Sequence, residues 1–360
     1  MPSLTKSVSL FSRIPYPICW IILAVLSVSF AWAMQLVGLS AEWMVGPMVA
    51  AIVIALMGIK LKMNRPLYQF CQAVVGCVIA QSLTPQIIRE VLKDWPIVVL
   101  VVASVMFLSW GLGWLIGKFK VMPAQVAIWG ASPGAASAMV ILAKAYGTDA
   151  RLVAFMQYIR VLLVVIMSSL VAALVVPDGS LSHSLFENWL QLPQMSSFGF
   201  TMALIFGSII LAKYTKIPAG AMLIPMFLGT FLHVNGWLTI TLPQPLLAIS
   251  YLVVGWVIGL GFDRQTFHAS FYALPKILLM NVLLMLLCAG LAVLASYWFH
   301  VDLLSAYLAT SPGGANTVAI IALSNPVNVP FIMALQTSRL FAVMAFGPWI
   351  AKWLGKKIEG

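Results

Sequence analysis

A Ser-Pro-Gly tripeptide interrupts apolar sequence twice, as Ser132-Pro133-Gly134 and as Ser311-Pro312-Gly313, and its surroundings recur in register. Gln157 and Arg160 follow the first copy, and Gln336 and Arg339 follow the second. The offset is 179 in each case (312 − 133, 336 − 157, 339 − 160). Gly76 with Gly255 and Pro96 with Pro275 keep that offset. Met44-Val45-Gly46-Pro47-Met48 matches Met222-Leu223-Ile224-Pro225-Met226 at 178 (222 − 44), so one residue has been gained in between. The chain is a duplicated unit. Any fold it adopts must house two equivalent helix breaks and two equivalent arginines within apolar sequence.

Hydrophobic residues make up 62% of the chain and charged residues 8%, whereas soluble domains carry roughly 25% charged residues. Most of the chain therefore belongs in lipid. The net charge of +11 does not point to nucleic acid, because the basic residues form short clusters between apolar runs and no polar stretch is long enough to fold as a DNA-reading domain. No direct nucleic-acid partner is expected. Cys19, Cys71, Cys77 and Cys288 all fall within apolar runs, where thiols act as small core residues. Their spacing is no zinc pattern, and no metal or cofactor is expected. Lys6 and Arg13 precede an apolar run ending near Ala31-Trp32-Ala33, as in a signal peptide. The apolar character continues to Leu39, which favours an uncleaved first span.

Judged against the ~20 residues a bilayer needs, candidate spans lie at about 18–39, 43–59, 67–83, 96–117 and 152–176 in the first half. The second half gives about 198–213, 219–235, 245–262, 275–299 and 330–351. The Ser-Pro-Gly stretch lies between the fourth and fifth spans of each half. If it dips in and returns, the loops on one face receive Lys60, Lys62, Arg65, Lys118, Lys120, Lys144, Arg151, Lys213, Lys216, Arg264 and Lys276. The linker between the halves carries Asp178 and Glu187 but no Lys or Arg, as an outer loop should. Full crossing by that stretch would reverse these loops and fit the charges less well.

The expected fold is all-α integral membrane: about ten transmembrane helices in two inverted five-span repeats, each with a Ser-Pro-Gly-broken re-entrant hairpin. This divides the chain into a cytoplasmic segment (1–17), a first repeat (18–176), an outer linker (177–197), a second repeat (198–352) and a basic cytoplasmic tail (353–360). Inverted repeats with broken helices are common in secondary transporters.

Ser132-Pro133-Gly134 predicts a stop followed by a new helix to about Ala145. The second copy predicts a helix starting near Gly313-Gly314 and running through Asn316, Thr317 and Leu323. Broken backbone at membrane depth survives only where protein buries it or where it lines a cavity, and a fresh helix N-terminus suits an anion. Close helix packing by the small residues around each break explains the same pattern without a ligand. Arg160 and Arg339 lie roughly 12–14 Å into their spans at 1.5 Å per residue. At that depth a charge costs at least ~2.5–3.5 kcal/mol. Gln157 and Gln336 share the arginines' helical face, and Glu42, Asp149, Asp263 and Asp302 all fall at span ends. Two roles stay open for each guanidinium: capping the orphan carbonyls of the broken helix, or holding an anionic solute. The solute-binding candidates are Ser132, Pro133, Gly134, Gln157, Arg160, Ser311, Pro312, Gly313, Gly314, Asn316, Thr317, Gln336 and Arg339.

The repeated Met-x-x-Pro-Met, Ser-Pro-Gly and Gln-x-x-Arg motifs, and the stretches Trp129 to Gly134, Arg151 to Tyr158 and Ala306 to Gly314, resemble the bacterial AbrB membrane-duplication family over nearly the whole chain. The resemblance implies an inner-membrane, multi-pass protein with both termini cytoplasmic. It also brings two unrelated labels, ammonia monooxygenase and regulator of gene expression. An oxygenase needs a His and carboxylate cluster, yet His183, His233, His268 and His300 are scattered and unrepeated, so an enzyme is not expected. The family shares its short name with a small soluble DNA-binding regulator that this chain does not resemble. Two functions remain: a transporter of a small anionic or zwitterionic solute, and a membrane sensor acting indirectly on gene expression. The expected partners are membrane lipid and a small anionic solute, with a homo-oligomer left open.

Overall fold

The computed structural model describes residues 15–36, 41–82, 95–133, 139–140, 143–144, 147–175, 195–215, 217, 220–262, 264–269 and 271–359. Among them every regular element is a helix. The first half comprises α1 (Tyr16–Leu36), α2 (Glu42–Leu56), α3 (Arg65–Ser82), α4 (Trp95–Lys118), α5 (Ala124–Ala131) and α6 (Ala150–Val175). The second comprises α7 (Met195–Thr215), α8 (Gly220–Val234), α9 (Gln244–Gly259), α10 (Arg264–Ala269), α11 (Leu274–Phe299), α12 (Leu303–Thr310), α13 (Ala315–Leu323) and α14 (Val329–Glu359). The sequence offset carries into the elements: α1, α5 and α6 begin 179 residues before α7, α12 and α14. The duplication is structural as well as sequential.

Among the described residues, six helices (α1, α4, α6, α7, α11 and α14) are long and apolar enough to cross a membrane by length and composition. α2, α8 and α9 are apolar but only 15, 15 and 16 residues long, about 22–24 Å at 1.5 Å per residue against a hydrocarbon core of ~30 Å. They are slightly shorter than the sequence spans suggested. α14 also runs past the expected end of the last span, so the basic tail continues the helix through Glu359. Most of the linker between the halves (176–194) lies outside the described residues.

The helices sort into two bundles, each built from matching parts of both halves. α1, α2 and α3 pack with α7, α8 and α9. α4, α5 and α6 pack with α11, α12, α13 and α14. In the first bundle α2 lies on α9 while α3 lies on α8, the reciprocal pairing that a two-fold relation between halves produces. Its closest points are two glycines. A Cβ on Gly76 would sit 2.3 Å from the Met222 carbonyl oxygen, and one on Gly255 would sit 2.3 Å from the Met44 carbonyl oxygen. Only hydrogen at these positions lets the backbones approach so closely. The bundles meet where α3 lies against α13 and α14, and where Tyr158 of α6 packs on Phe262 beyond α9 with ring centroids 6.0 Å apart.

Gly76→Ala and Gly255→Ala should each lower stability by about 1–3 kcal/mol through overpacking, read by thermal unfolding in detergent. Gly199→Ala in α7, where a Cβ meets nothing within 4 Å, should be neutral or stabilising by up to ~1 kcal/mol.

Candidate functional site

The second Ser-Pro-Gly break sits at the tip of a hairpin whose two ends are tied together, and in the first half Ser132-Pro133 ends α5 at the matching place. In the second half the chain enters through α12, breaks at Ser311 to Gly314, and returns through α13. At its base the Asn328 backbone N–H donates to Ser305 Oγ at 2.8 Å. In the first half Thr148 Oγ1 donates to Gln125 Oε1 at 3.2 Å, at the corresponding base. The returning arm there falls largely outside the described residues, with 139–140 and 143–144 helical. In both halves the chain leaves the hairpin close to where it entered.

Caps fix where the next helix starts. Asp149 accepts from the Arg151 N–H at 2.9 Å, and Asn328, its equivalent, accepts from the Phe331 N–H at 3.1 Å. Starting α6 and α14 at equivalent residues puts Arg160 and Arg339 roughly 15 Å along each helix. That is level with the hairpin tips.

There the guanidiniums meet the ends of the broken helices. Arg160 donates through Nη1 to the Ala131 and Ser132 carbonyls at 3.1 and 2.8 Å, and through Nη2 to Gln157 Oε1 at 2.6 Å. Gln157 Nε2 donates to the Trp129 and Ser132 carbonyls at 2.9 and 3.1 Å. Arg339 donates to the Ser311 and Gly313 carbonyls at 2.6 and 2.7 Å and to Gln336 Oε1. Gln336 Nε2 donates to the Leu308 carbonyl at 2.7 Å and the Ser311 carbonyl at 3.3 Å. The carbonyls at a helix C-terminus have no partner within the helix, and the Gln-x-x-Arg pair supplies donors for them. The capping role is occupied in both halves.

Charge is left over. Arg160 is 0% and Arg339 2% exposed, and no Asp or Glu is buried among the described residues. The Nε atoms of both arginines lack a hydrogen-bond partner. The tip of the second hairpin leans on the helix carrying Arg160: a Cβ on Gly313 would lie 2.8 Å from Val164 Cγ1. Among the described residues, two positive groups thus share one buried region without a counter-charge.

The sequence candidates distribute as follows. Ser132, Pro133, Ser311, Pro312 and Gly313 are buried at the tips, with Gly314 partly buried. Thr317, 4% exposed, donates from Oγ1 back to the Gly314 carbonyl at 2.8 Å. Asn316 lies in the first turn of α13, and Gly134 lies outside the described residues. Sequence reasoning missed Trp110, whose Nε1 donates to Ser132 Oγ at 3.0 Å. It also missed Thr310, whose Oγ1 donates to the Cys288 carbonyl of α11 at 3.2 Å. Neither contact has an equivalent in the other half, where Ala289 and Ala131 stand at the matching positions, so no repeat signal flagged them.

Comparison with known proteins places these features in context. A family model described as "Transition state regulatory protein AbrB" matches residues 43–355. An Escherichia coli (strain K12) protein named "Putative regulator AbrB" is 39% identical over 335 residues, covering 93% of this chain and 96% of its own. A Bacillus subtilis (strain 168) protein named "Uncharacterized protein YhjN" is 24% identical over 358 residues, covering 90% of each.

Arg339→Lys keeps the charge but loses the planar fork that reaches two carbonyls and an amide together. It should lower stability by about 1–3 kcal/mol, the cost of a buried acceptor left unpaired, measured by denaturant unfolding in detergent.

Proposed function

This chain belongs to the AbrB family, and we propose that it is a secondary transporter or solute sensor of the inner membrane, built as two inverted five-span repeats around a site for a small anionic or zwitterionic solute. It is a multi-pass membrane protein. The observation that carries the finer reading is the pair of hairpins tied at their bases. A hairpin that leaves where it entered adds no crossing, so each half makes an odd number and the second half enters the membrane upside down. The Lys and Arg distribution favours the same arrangement, with both termini cytoplasmic. The two tips then approach from opposite faces.

The buried region between the tips suits an anion better than a cation. Two guanidiniums with no buried carboxylate among the described residues, each keeping an unpartnered Nε–H, lie beside the N-terminus of α13, whose dipole adds positive potential. Because the Nη groups already cap carbonyls, a solute would be met by the remaining N–H groups and the helix N-terminus rather than by a free arginine fork. Both arginines are almost fully buried, so access requires one bundle to move against the other. This chemistry is recognition rather than catalysis, and no enzymatic step is proposed. The regulatory name of the Escherichia coli relative is compatible with this reading where expression follows from a solute moved or sensed. Direct DNA binding is not proposed.

A thermal-shift screen of the purified protein against carboxylates, other organic anions and amino acids tests the proposal. At a concentration 100 times the Kd, the right solute should stabilise by about 2.7 kcal/mol, and Thr317→Val at the α13 N-terminus should weaken that response. Counterflow in vesicles then separates moving from sensing. Stabilisation by none of these solutes contradicts the proposal and favours a regulator without a solute site.

A further inference from the structure

A cleft of about 780 Å³ opens between α4 and α14, lined almost wholly by apolar atoms. Phe107, Gly111 and Trp114 form one wall, and Phe346, Trp349 and Trp353 form the other. We propose that this cleft holds an acyl chain of an anionic phospholipid. Along α4 it runs from Val98 to Trp114, roughly 24 Å at 1.5 Å per residue, so an extended chain fits parallel to the helices. An unfilled apolar cleft forfeits dispersion contacts along its whole lining, and in a bilayer the nearest apolar filler is lipid. A partner helix is the poorer occupant. Helix pairs in membranes meet through small residues that let backbones approach; Ala103, Gly111, Ser338 and Ala342 are among the lining, but Phe107, 78% exposed, and Trp349, 70% exposed, stand out from the two walls and hold a second backbone away.

The charge at the mouth selects the headgroup. Lys118, exposed at the end of α4, holds its ammonium 4.8 Å from the centre of the Trp114 ring. α14 has Lys352 just before the lining residue Trp353 and continues past the cleft with Lys356 and Lys357 in its last turns. Grouping those lysines with Lys118 rests on the topology proposed above; the cleft and Lys118 do not. Basic pockets between transmembrane helices bind anionic headgroups. The cleft also touches the hairpin machinery, because Trp110 on its wall donates to Ser132 Oγ at the first break. A bound chain would therefore bear on the residue that holds the tip.

The full-length protein in mild detergent is mixed with equal amounts of phosphatidylglycerol and phosphatidylcholine, each carrying a diazirine in its acyl chain, then photolysed and mapped by peptide mass spectrometry. Adducts should concentrate on α4 and α14, with phosphatidylglycerol exceeding phosphatidylcholine about fivefold, the ratio one surface lysine supplies. Lys118→Gln should reduce that excess. Gly111→Phe should remove the adducts by filling the cleft, since a Cβ there meets nothing within 4 Å. The wild-type map stands without either variant. Adducts spread evenly over the lipid-facing helices, cleft adducts with no headgroup preference, or a cross-linked dimer sealed through the cleft would each overturn the proposal. The map is independent of topology: its failure leaves the inverted repeats untouched. Finding Lys118→Cys and Lys356→Cys on opposite faces would count against the topology and leave the adducts standing.

Discussion

A guanidinium tied to the carbonyls of a broken helix is the interaction on which this molecule depends. Breaking a helix inside lipid leaves carbonyls that no water can satisfy, each costing several kcal/mol. Burying an arginine there is costly for the same reason. Each defect supplies what the other lacks. Arg160 and Gln157 satisfy Trp129, Ala131 and Ser132, while Arg339 and Gln336 satisfy Leu308, Ser311 and Gly313. The exchange caps the carbonyls but leaves each Nε–H and the charge unanswered. Two positive groups remain in one buried region, and that imbalance is the physical basis for proposing an anionic or zwitterionic solute.

The division into two bundles gives the imbalance a mechanical setting. One bundle is locked by backbone approaches at Gly76 and Gly255 that no side chain would permit. The other carries both hairpins, both arginines and the apolar cleft between α4 and α14. Its contact with the first runs through α3 and through aromatic packing at Tyr158 and Phe262, surfaces able to slide more readily than interlocked backbones. Under the proposed function, the rigid bundle serves as the frame and the hairpin bundle as the moving part.

Much of this was legible in the sequence because duplication prints a signal twice. The offset of 179 located both breaks and both Gln-x-x-Arg pairs, and α5 and α6 begin at that distance from α12 and α14. The same offset flagged Gly76 and Gly255 without revealing what they touch, since the Met222 and Met44 carbonyls are backbone atoms of another helix. Contacts present in one half only left no such trace. Trp110 to Ser132 and Thr310 to the Cys288 carbonyl are long-range bonds between ordinary-looking residues. The choice between capping and solute binding was open in the sequence because both need the same donors. The structure shows the Nη groups occupied in capping and the Nε groups without a partner; only under the proposed function do the spare Nε–H groups meet a solute. The lengths of α2 and α8 were overestimated because hydropathy reports apolar character and not where the backbone turns, as it does at Gly58 and Gly236, both with positive φ.

The central claim is that the two hairpins open on opposite faces of the membrane. Asp149 and Pro326, both exposed, stand beside the bases of the first and second hairpins. In a background where Cys19, Cys71, Cys77 and Cys288 are replaced, Asp149→Cys and Pro326→Cys can be probed in intact cells with a membrane-impermeant maleimide. Labelling of position 326 from outside, with position 149 reached only after the cells are opened, is the expected result. Labelling of both positions from the same face would contradict the inverted repeat and the solute site proposed between its tips.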